Sequence, residues 1–230
     1  MLMFDIGASI GGVTDHFVEE GYRVVAIEPL EFLCDEIESR YKGREELVSV
    51  INAVVHNKKG QVDFYTIEGN DTLSTLSEDW KIKSRFGLEK SKRTWPTVLQ
   101  VDCVGIDDLI EKYGVPDFIK IDVEGSEYEA LLTHNKKVDT IIAFEWVEEL
   151  IGNTKKCMEH LKNIGYTKYR NSCCHIKMEE FTSFLPSNEQ TSNKKLYRPI
   201  EEFNDNIESC FSPPNPDQEP HEAWGDVYVM

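Results

Sequence analysis

The sequence predicts an α/β fold: a mostly parallel sheet whose last strand runs antiparallel to the others. Three observations predict it. Two stretches read as strand, glycine turn and helix, one from Leu2 to Gly21 and one from Phe118 to Leu132. The core strands end in acids, Asp5, Glu28, Asp122 and Glu145, as though one sheet edge collected them. Finally, a long polar detour after the sixth strand precedes a closing apolar run, Ala223 to Met230, which fits a strand that returns antiparallel.

At 230 residues the chain suits one domain, 1–230, with insertions expected at about 56–104 and 176–222. Hydrophobic residues make up 40% and no apolar run approaches the ~20 residues of a membrane span, so a soluble protein with no membrane partner is expected. Lys and Arg number 25 against 42 Asp and Glu, a net charge of −17, which would repel a polyanion over most of the surface. Nucleic acid is therefore not the expected partner. The one basic cluster, Lys81 to Arg93, reads more readily as a solvated face than as a patch. Cys34, Cys103, Cys157, Cys173, Cys174 and Cys210 lack CxxC or zinc-like spacing, and with no secretory signal visible they read as reduced thiols of a cytoplasmic protein.

Leu2 to Ile6 is the first buried strand. Gly7 permits the sharp turn after it, and Gly11 removes a side chain where a ligand would pass. Val13 and Phe17 begin a helix that Gly21 stops. The turn has the form Asp-x-Gly-x-x-x-Gly, not the Gly-x-Gly-x-x-Gly that approaches a pyrophosphate. Asp5 instead suits an ammonium group, although any α/β crossover can carry such a turn. Arg23 to Glu28 is the second strand, closed by Pro29. Glu28 lies about 20 positions beyond the turn, the spacing of an acid that accepts ribose hydroxyls.

Glu31 to Tyr41 follows as a helix, with Phe32, Cys34, Ile37 and Tyr41 as its expected inward stripe. Leu47 to Ile51 is the third strand. Asn52, before Ala53, either lies beside the base of a nucleoside or forms a turn. Gln61 to Ile67 and Thr97 to Val104 read as strands, with an insertion or lid between them. Asp107 to Gly114 is a short helix. Val138 to Glu145 is the next strand, and Trp146 is a candidate wall of a substrate pocket. Asn153 caps a helix to Ile164, and Tyr166 to Arg170 opens the sixth strand.

In the second strand–turn–helix unit, Asp122 and Glu124 sit where the strand gives way to the turn. Ligands of open α/β sheets bind at such carboxyl ends. A strand-ending Asp is as readily a helix cap. Lys120, two residues before Asp122 and so on the same strand face, is positioned to pair with it. Asp122, Glu124 and Glu145 could alternatively hold a divalent cation, a reading given less weight here, and no metal is assigned. Among six scattered histidines, His175 is a remote candidate base.

These residues carry a resemblance. Asp5-Ile6-Gly7-Ala8-Ser9-Ile10-Gly11 resembles the first motif of class I S-adenosylmethionine-dependent methyltransferases, and Val25-Ala26-Ile27-Glu28-Pro29 resembles their second. Ile119-Lys120-Ile121-Asp122-Val123-Glu124-Gly125-Ser126-Glu127, with Ile106-Asp107-Asp108-Leu109 ahead of it, is similar to the hallmark of the FkbM methyltransferases. The resemblance runs from Met1 to Glu145. It implies a Rossmann-like, seven-stranded sheet with helices on both faces, S-adenosyl-L-methionine as cofactor, and O-methylation of a hydroxyl on a small molecule or sugar. Asp5, Gly7, Ala8, Ser9, Gly11, Glu28, Pro29, Asn52, Ala53 and Asp122 are then the expected cofactor-binding residues. Asp122, Glu124, Glu145 and Lys120 are the expected catalytic ones, with Asp122 first as the group beside the attacking hydroxyl. Because the chain starts at the first motif, the pocket is expected to be more open or to be completed by a partner. Two other readings stay open: a Rossmann-like NAD-dependent oxidoreductase, disfavoured by the missing Gly-x-Gly-x-x-Gly, and a non-catalytic binding module that keeps the fold.

Overall fold

The computed structural model describes residues 1–67, 69, 71–171, 197–203 and 224–230. Its strands are β1 (Leu2–Ile6), β2 (Arg23–Glu28), β3 (Val48–Asn52), β4 (Val54–Val55), β5 (Gln61–Thr66), β6 (Thr97–Val104), β7 (Phe118–Ile121), β8 (Ile141–Val147), β9 (Lys168–Asn171), β10 (Arg198–Pro199) and β11 (Trp224–Val229). Its α-helices are α1 (Gly12–Glu19), α2 (Glu31–Arg40), α3 (Glu78–Lys83), α4 (Leu88–Ser91), α5 (Ile106–Tyr113), α6 (Glu127–Leu131) and α7 (Ile151–Asn163).

The main sheet has the order β10-β9-β11-β8-β7-β1-β2-β3. Neighbours from β3 through β8 are parallel, and β11 runs antiparallel to both β8 and β9. The fold is thus the expected α/β class, with eight strands where seven were expected. The extra one is β10, a two-residue edge strand on β9.

Alternation explains the layers. Phe4, Ile6, Ile119, Ile121, Ile142 and Phe144 point to the face covered by α5, α6 and α7, where Leu109, Leu131 and Leu161 meet them. Met3, Val24, Ala26 and Phe118 point the other way, against Phe17 of α1 and Ile37 of α2. Helices therefore lie on both faces. Of the expected stripe Cys34, Ile37 and Tyr41 are buried, but Phe32 is 52% exposed, and Leu33 turns inward in its place. Asn153 is no cap, because α7 begins two residues earlier and Asn153 lies inside its first turn.

The 56–104 tract holds the two strands expected in it, β5 and β6, with short helices in the segment between them. β4, β6 and β5 form a second sheet, and the β5–β6 hairpin carries the segment that includes α3 and α4. Trp80 of α3 is buried with Leu73, Trp95, Val147 and Leu150, which docks this segment on the main body. The basic cluster is largely consumed there. Lys81 pairs with Glu78, Lys83 with Asp79, and Arg85 and Lys90 both reach Glu149. The 176–222 tract lies outside the described residues apart from 197–203, as do His175, Cys173, Cys174 and Cys210. Cys34, Cys103 and Cys157 are free thiols.

Candidate active site

The site begins where β1 ends. After Ile6 the chain turns at Gly7, with φ +81°, and the N–H groups of Gly7 and Ala8 both donate to the Ile27 carbonyl, at 2.9 and 3.1 Å. The turn is thereby fastened to β2. The Asp122 N–H donates to the Ile6 carbonyl at 3.0 Å, which brings the end of β7 against the same turn. Glu28, the last residue of β2, closes the group. Its Oε2 accepts the Ser9 N–H and its Oε1 the Leu30 N–H, both at 2.9 Å. Each carboxylate oxygen keeps a further lone pair.

Above these strand ends lies a cleft of about 240 Å³. Ile27, Leu33, Val55 and Phe64 give it apolar walls; Glu28 stands on one side and Asp122 with Glu124 on the other. Such a lining suits a ligand with a flat apolar part, a pair of hydroxyl donors and positive charge.

Of the ten residues expected to bind a cofactor, Gly7, Ser9, Glu28, Pro29, Ala53 and Asp122 line the cleft. The others do not. Asp5 is 1% exposed beneath it and accepts a hydrogen bond from Thr14 Oγ1 at 2.6 Å, so its carboxylate is engaged by α1 and does not face open space. Ala8 is packed in the core against α1 and α2. Gly11 has φ +81°, and a Cβ there would lie 2.9 Å from Ile37 Cγ1; what passes close is helix α2. Asn52 donates through Nδ2 to the carbonyls of Glu28 and Pro29, at 3.1 and 2.9 Å, so it secures the turn after β2. Asp71, Thr72 and Ser74 join the lining from the hairpin segment, where the polar sequence offered no periodic signal to place them.

The acids do form a row. Asp226 is the register partner of Glu145, Ile121 that of Phe144 and of Ile6, and Ile6 that of Ile27, so Glu28, Asp122, Glu145 and Asp226 stand level across the sheet, one residue beyond those pairs. Asp5 belongs two residues lower, level with Lys120. Glu145 is within β8, not at its end, and borders a separate small cavity with Glu127, Trp80 and Asn153. Trp146, the expected pocket wall, is 3% exposed and part of the core.

Lys120 is the buried counter-charge. Its Nζ lies 2.6 Å from Asp122 Oδ2, and the residue is 6% exposed. Burial would push the ammonium down; the charges of Asp122 and Asp226 and the Asp122 hydrogen bond outweigh it and hold it above the ordinary lysine value. Burial raises the Glu28 carboxyl to about 7 and, with the Asp122 charge next in size, lifts Glu124 and Glu145 well above the usual range. Glu124 adopts φ +52°, unusual for a side chain other than glycine, and its carbonyl accepts Thr75 Oγ1 at 2.6 Å. Strain of this kind gathers at ligand sites.

Sequence reasoning did not select Glu127 or Asp226 for the site. Glu127 accepts the N–H groups of Val123 and Gly125, at 3.3 and 3.1 Å, and so shapes the turn that presents Glu124. The signal for it was an acid two residues after a glycine. For Asp226 it was a lone acid in the otherwise apolar closing strand. Among the described residues, no group of three or more His, Cys, Asp or Glu side chains is arranged to hold a metal ion, and no helix is long and apolar enough to cross a membrane.

Comparison with known proteins supplies a family. Several solved structures share distant similarity over the chain. Precorrin-6y C5,15-methyltransferase from Geobacter metallireducens is 13% identical, with a TM-score of 0.44 over 100% of this chain and 78% of its own. A SAM-dependent methyltransferase from Geobacter sulfurreducens, in complex with S-adenosyl-L-homocysteine, is 8% identical with a TM-score of 0.44, over 100% and 84%. An rRNA methylase from Streptococcus thermophilus is 7% identical with a TM-score of 0.43, over 100% and 85%. Likeness at this level says nothing about substrate. The search of curated proteins finds no match. The profile of the methyltransferase FkbM domain, however, matches residues 5–167, from the acid of the first strand through both glycine turns and well past Glu145. The chain belongs to the methyltransferase FkbM domain family.

Proposed function

We propose that the chain is an S-adenosylmethionine-dependent O-methyltransferase acting on a hydroxyl of a small molecule or sugar, with the cleft between Gly7, Glu28 and Asp122 as its donor site. The observation that carries this is Glu28: it lines the cleft, both of its oxygens are already oriented by the Ser9 and Leu30 N–H groups, and each oxygen keeps a further lone pair. A carboxylate so fixed suits the two hydroxyls of a ribose. The walls of Ile27, Leu33, Val55 and Phe64 suit a purine, and Asp122 with Glu124 suits a sulfonium and its ammonium. The donor set therefore fits the cofactor.

When bound, that cofactor supplies a methyl carbon activated by a positive sulfur. What remains for the chain is alignment and a proton acceptor. Lys120 holds Asp122 at 2.6 Å, which fixes the carboxylate nearest the rim of the turn. Glu124, whose carboxyl is raised by burial and then by Asp122, is a stronger proton acceptor than an ordinary glutamate. Glu145 is more remote, beside its own small cavity. A small acceptor, not a nucleic acid, is supported by the net charge of −17 and by the pairing of Lys81, Lys83, Arg85 and Lys90 with acids. The free thiols Cys34, Cys103 and Cys157 support a reducing, cytoplasmic compartment as part of the same proposal.

The test is ligand-dependent thermal stabilisation. S-Adenosylhomocysteine is expected to raise the melting temperature and NAD to leave it unchanged. A shift with NAD alone would replace this reading with an oxidoreductase, and no shift with either would leave a binding module that keeps only the fold.

A further inference from the structure

Beside the donor cleft lies a second cavity, of about 650 Å³. The turn after β7 divides the two: Glu124 lines the donor cleft, Gly125 and Ser126 line the cavity, and Leu76 of the hairpin segment lines both. The partition is held from the hairpin side, where Thr75 Oγ1 donates to the Glu124 carbonyl at 2.6 Å. Two buried polar side chains in the cavity wall keep hydrogen-bonding capacity to spare. Ser126 is 2% exposed, and its hydroxyl has no partner among the described residues. His56 is 8% exposed, and its Nδ1 accepts the Lys58 N–H at 3.0 Å. Burial, and then the Lys58 charge, hold the ring below the ordinary histidine value, so it is neutral and carries its proton on Nε2. That N–H has no acceptor among the described residues. Charge adds a direction. In the same wall Lys83 is paired with Asp79, and Glu149 is taken by Arg85 and Lys90. Lys58 and Lys156 also line the cavity, yet neither forms an ion pair among the described residues, in a chain where 42 acids face 25 bases.

We propose that this cavity is the acceptor subsite and takes a small, hydroxyl-rich molecule that carries a carboxylate or phosphate, its anion held by Lys58 and Lys156 and its hydroxyls by His56 and Ser126. The proposal rests on the donor reading above and narrows its acceptor to an anionic one. Two ammonium groups without acid partners favour an anion over a neutral polyol, because hydrogen bonds between ionised groups are the strong ones. The His56 N–H is a donor only, and the Ser126 hydroxyl both donates and accepts, which suits the mixed chemistry of a sugar ring. Glu129, the acid of the wall left without an ion pair, accepts from a further hydroxyl. A molecule seated there lies against Gly125, one residue from Glu124, the proton acceptor of the donor cleft.

The experiment is a histidine-ring NMR titration of the full chain with glucuronate, glucose-6-phosphate and neutral glucose, the His56 signal being identified by its loss in His56→Gln. One or both anions are expected to shift that signal saturably, and glucose to bind at least about tenfold more weakly. The carboxylate and phosphate arms tell which anion the site prefers. Lys58→Met together with Lys156→Met is expected to weaken the preferred anion about tenfold or more; both side chains are exposed, so the fold is expected to survive the change. With saturating S-adenosylhomocysteine the anion is expected to bind no less tightly, and to show nuclear Overhauser contacts to the protons that flank the sulfur. No saturable shift with either anion, equal affinity for glucose, or unchanged affinity in the double variant would overturn the proposal and leave the donor reading intact. So would competition between the anion and S-adenosylhomocysteine, or joint binding without those contacts. A wild-type chain that does not bind S-adenosylhomocysteine would overturn the donor reading, and the acceptor role with it, whatever the His56 signal shows.

Discussion

The carbonyl oxygen of Asp122 lies 1.9 Å from the point that a Cβ on Gly7 would occupy. The two glycine-turn units of the chain, more than a hundred residues apart, therefore meet through a contact that tolerates no side chain. Gly7 also has φ +81°, so a substitution there is strained as well as crowded. Gly7→Ala is expected to cost roughly 2–4 kcal/mol, from left-handed backbone strain and overpacking together. Urea unfolding measures it. A loss under about half a kcal/mol would mean that β1 and β7 part more easily than their hydrogen bond implies.

Glu28→Gln keeps the size of the side chain and removes its charge. Its carbonyl oxygen still accepts one of the Ser9 and Leu30 N–H groups, but the other loses its acceptor. Binding of S-adenosylhomocysteine is expected to weaken about 10- to 100-fold, since a carboxylate bond to a hydroxyl is worth roughly 1.5–3 kcal/mol. Calorimetry at constant salt checks this, and unchanged affinity would remove Glu28 from the donor site.

The buried acids also set a pH dependence. Burial first, and neighbouring charges in smaller part, raise Glu28 and Glu127 from their ordinary 4.5 to about 7, and Asp226 from 3.8 to about 6. Between the ordinary and raised values the folded chain keeps protons that the unfolded chain has released. Stability from these groups is thus fully present below the ordinary carboxylate range and is lost as pH rises through the raised values. The urea midpoint is expected to be higher near about pH 5.5 than near about pH 8. Glu28 alone contributes on the order of 2 kcal/mol to that difference, and Glu28→Gln should flatten the profile. A profile that rises toward pH 8 would contradict the burial of these carboxylates.

Trp80 fastens the hairpin segment to the body. Its ring is 2% exposed, and its Cβ lies 3.0 Å from the Cβ position of a side chain at Gly125. Trp80→Ala is expected to cost about 3–5 kcal/mol locally, undocking residues 71–96 while the main sheet stays folded. Trypsin should then cut among Lys81, Lys83, Arg85, Lys90, Lys92 and Arg93 well before global unfolding. Cleavage at the wild-type rate would show that the salt bridges to Glu149 suffice to hold the segment.

Much of the fold was legible in one dimension. The strand, turn and helix at each glycine, the acid that closes β2, and the pairing of Lys120 with Asp122 all follow from spacing along a local chain. Periodicity reports which residues share a face and turn chemistry reports where the backbone reverses, so the β1 and β7 units, Glu28 and Lys120 stood out. The same logic failed where a local role was underdetermined. Asn52 and Gly11 had the right residue types for a ligand site, yet the turn after β2 and the approach of α2 claim them.

By itself, then, the sequence determined the α/β class, the glycine turns and the kinds of charged group at the strand ends, because each depends on residues within a few positions of one another. Only the tertiary structure decided which of those groups share a cleft. The register of β11 on β8 brings Asp226 level with Glu145, and the docking of the hairpin segment closes one wall with Asp71, Thr72 and Ser74. Strand order and hairpin docking are settled by burial of apolar surface between distant segments, and no local pattern encodes which distant segment that will be.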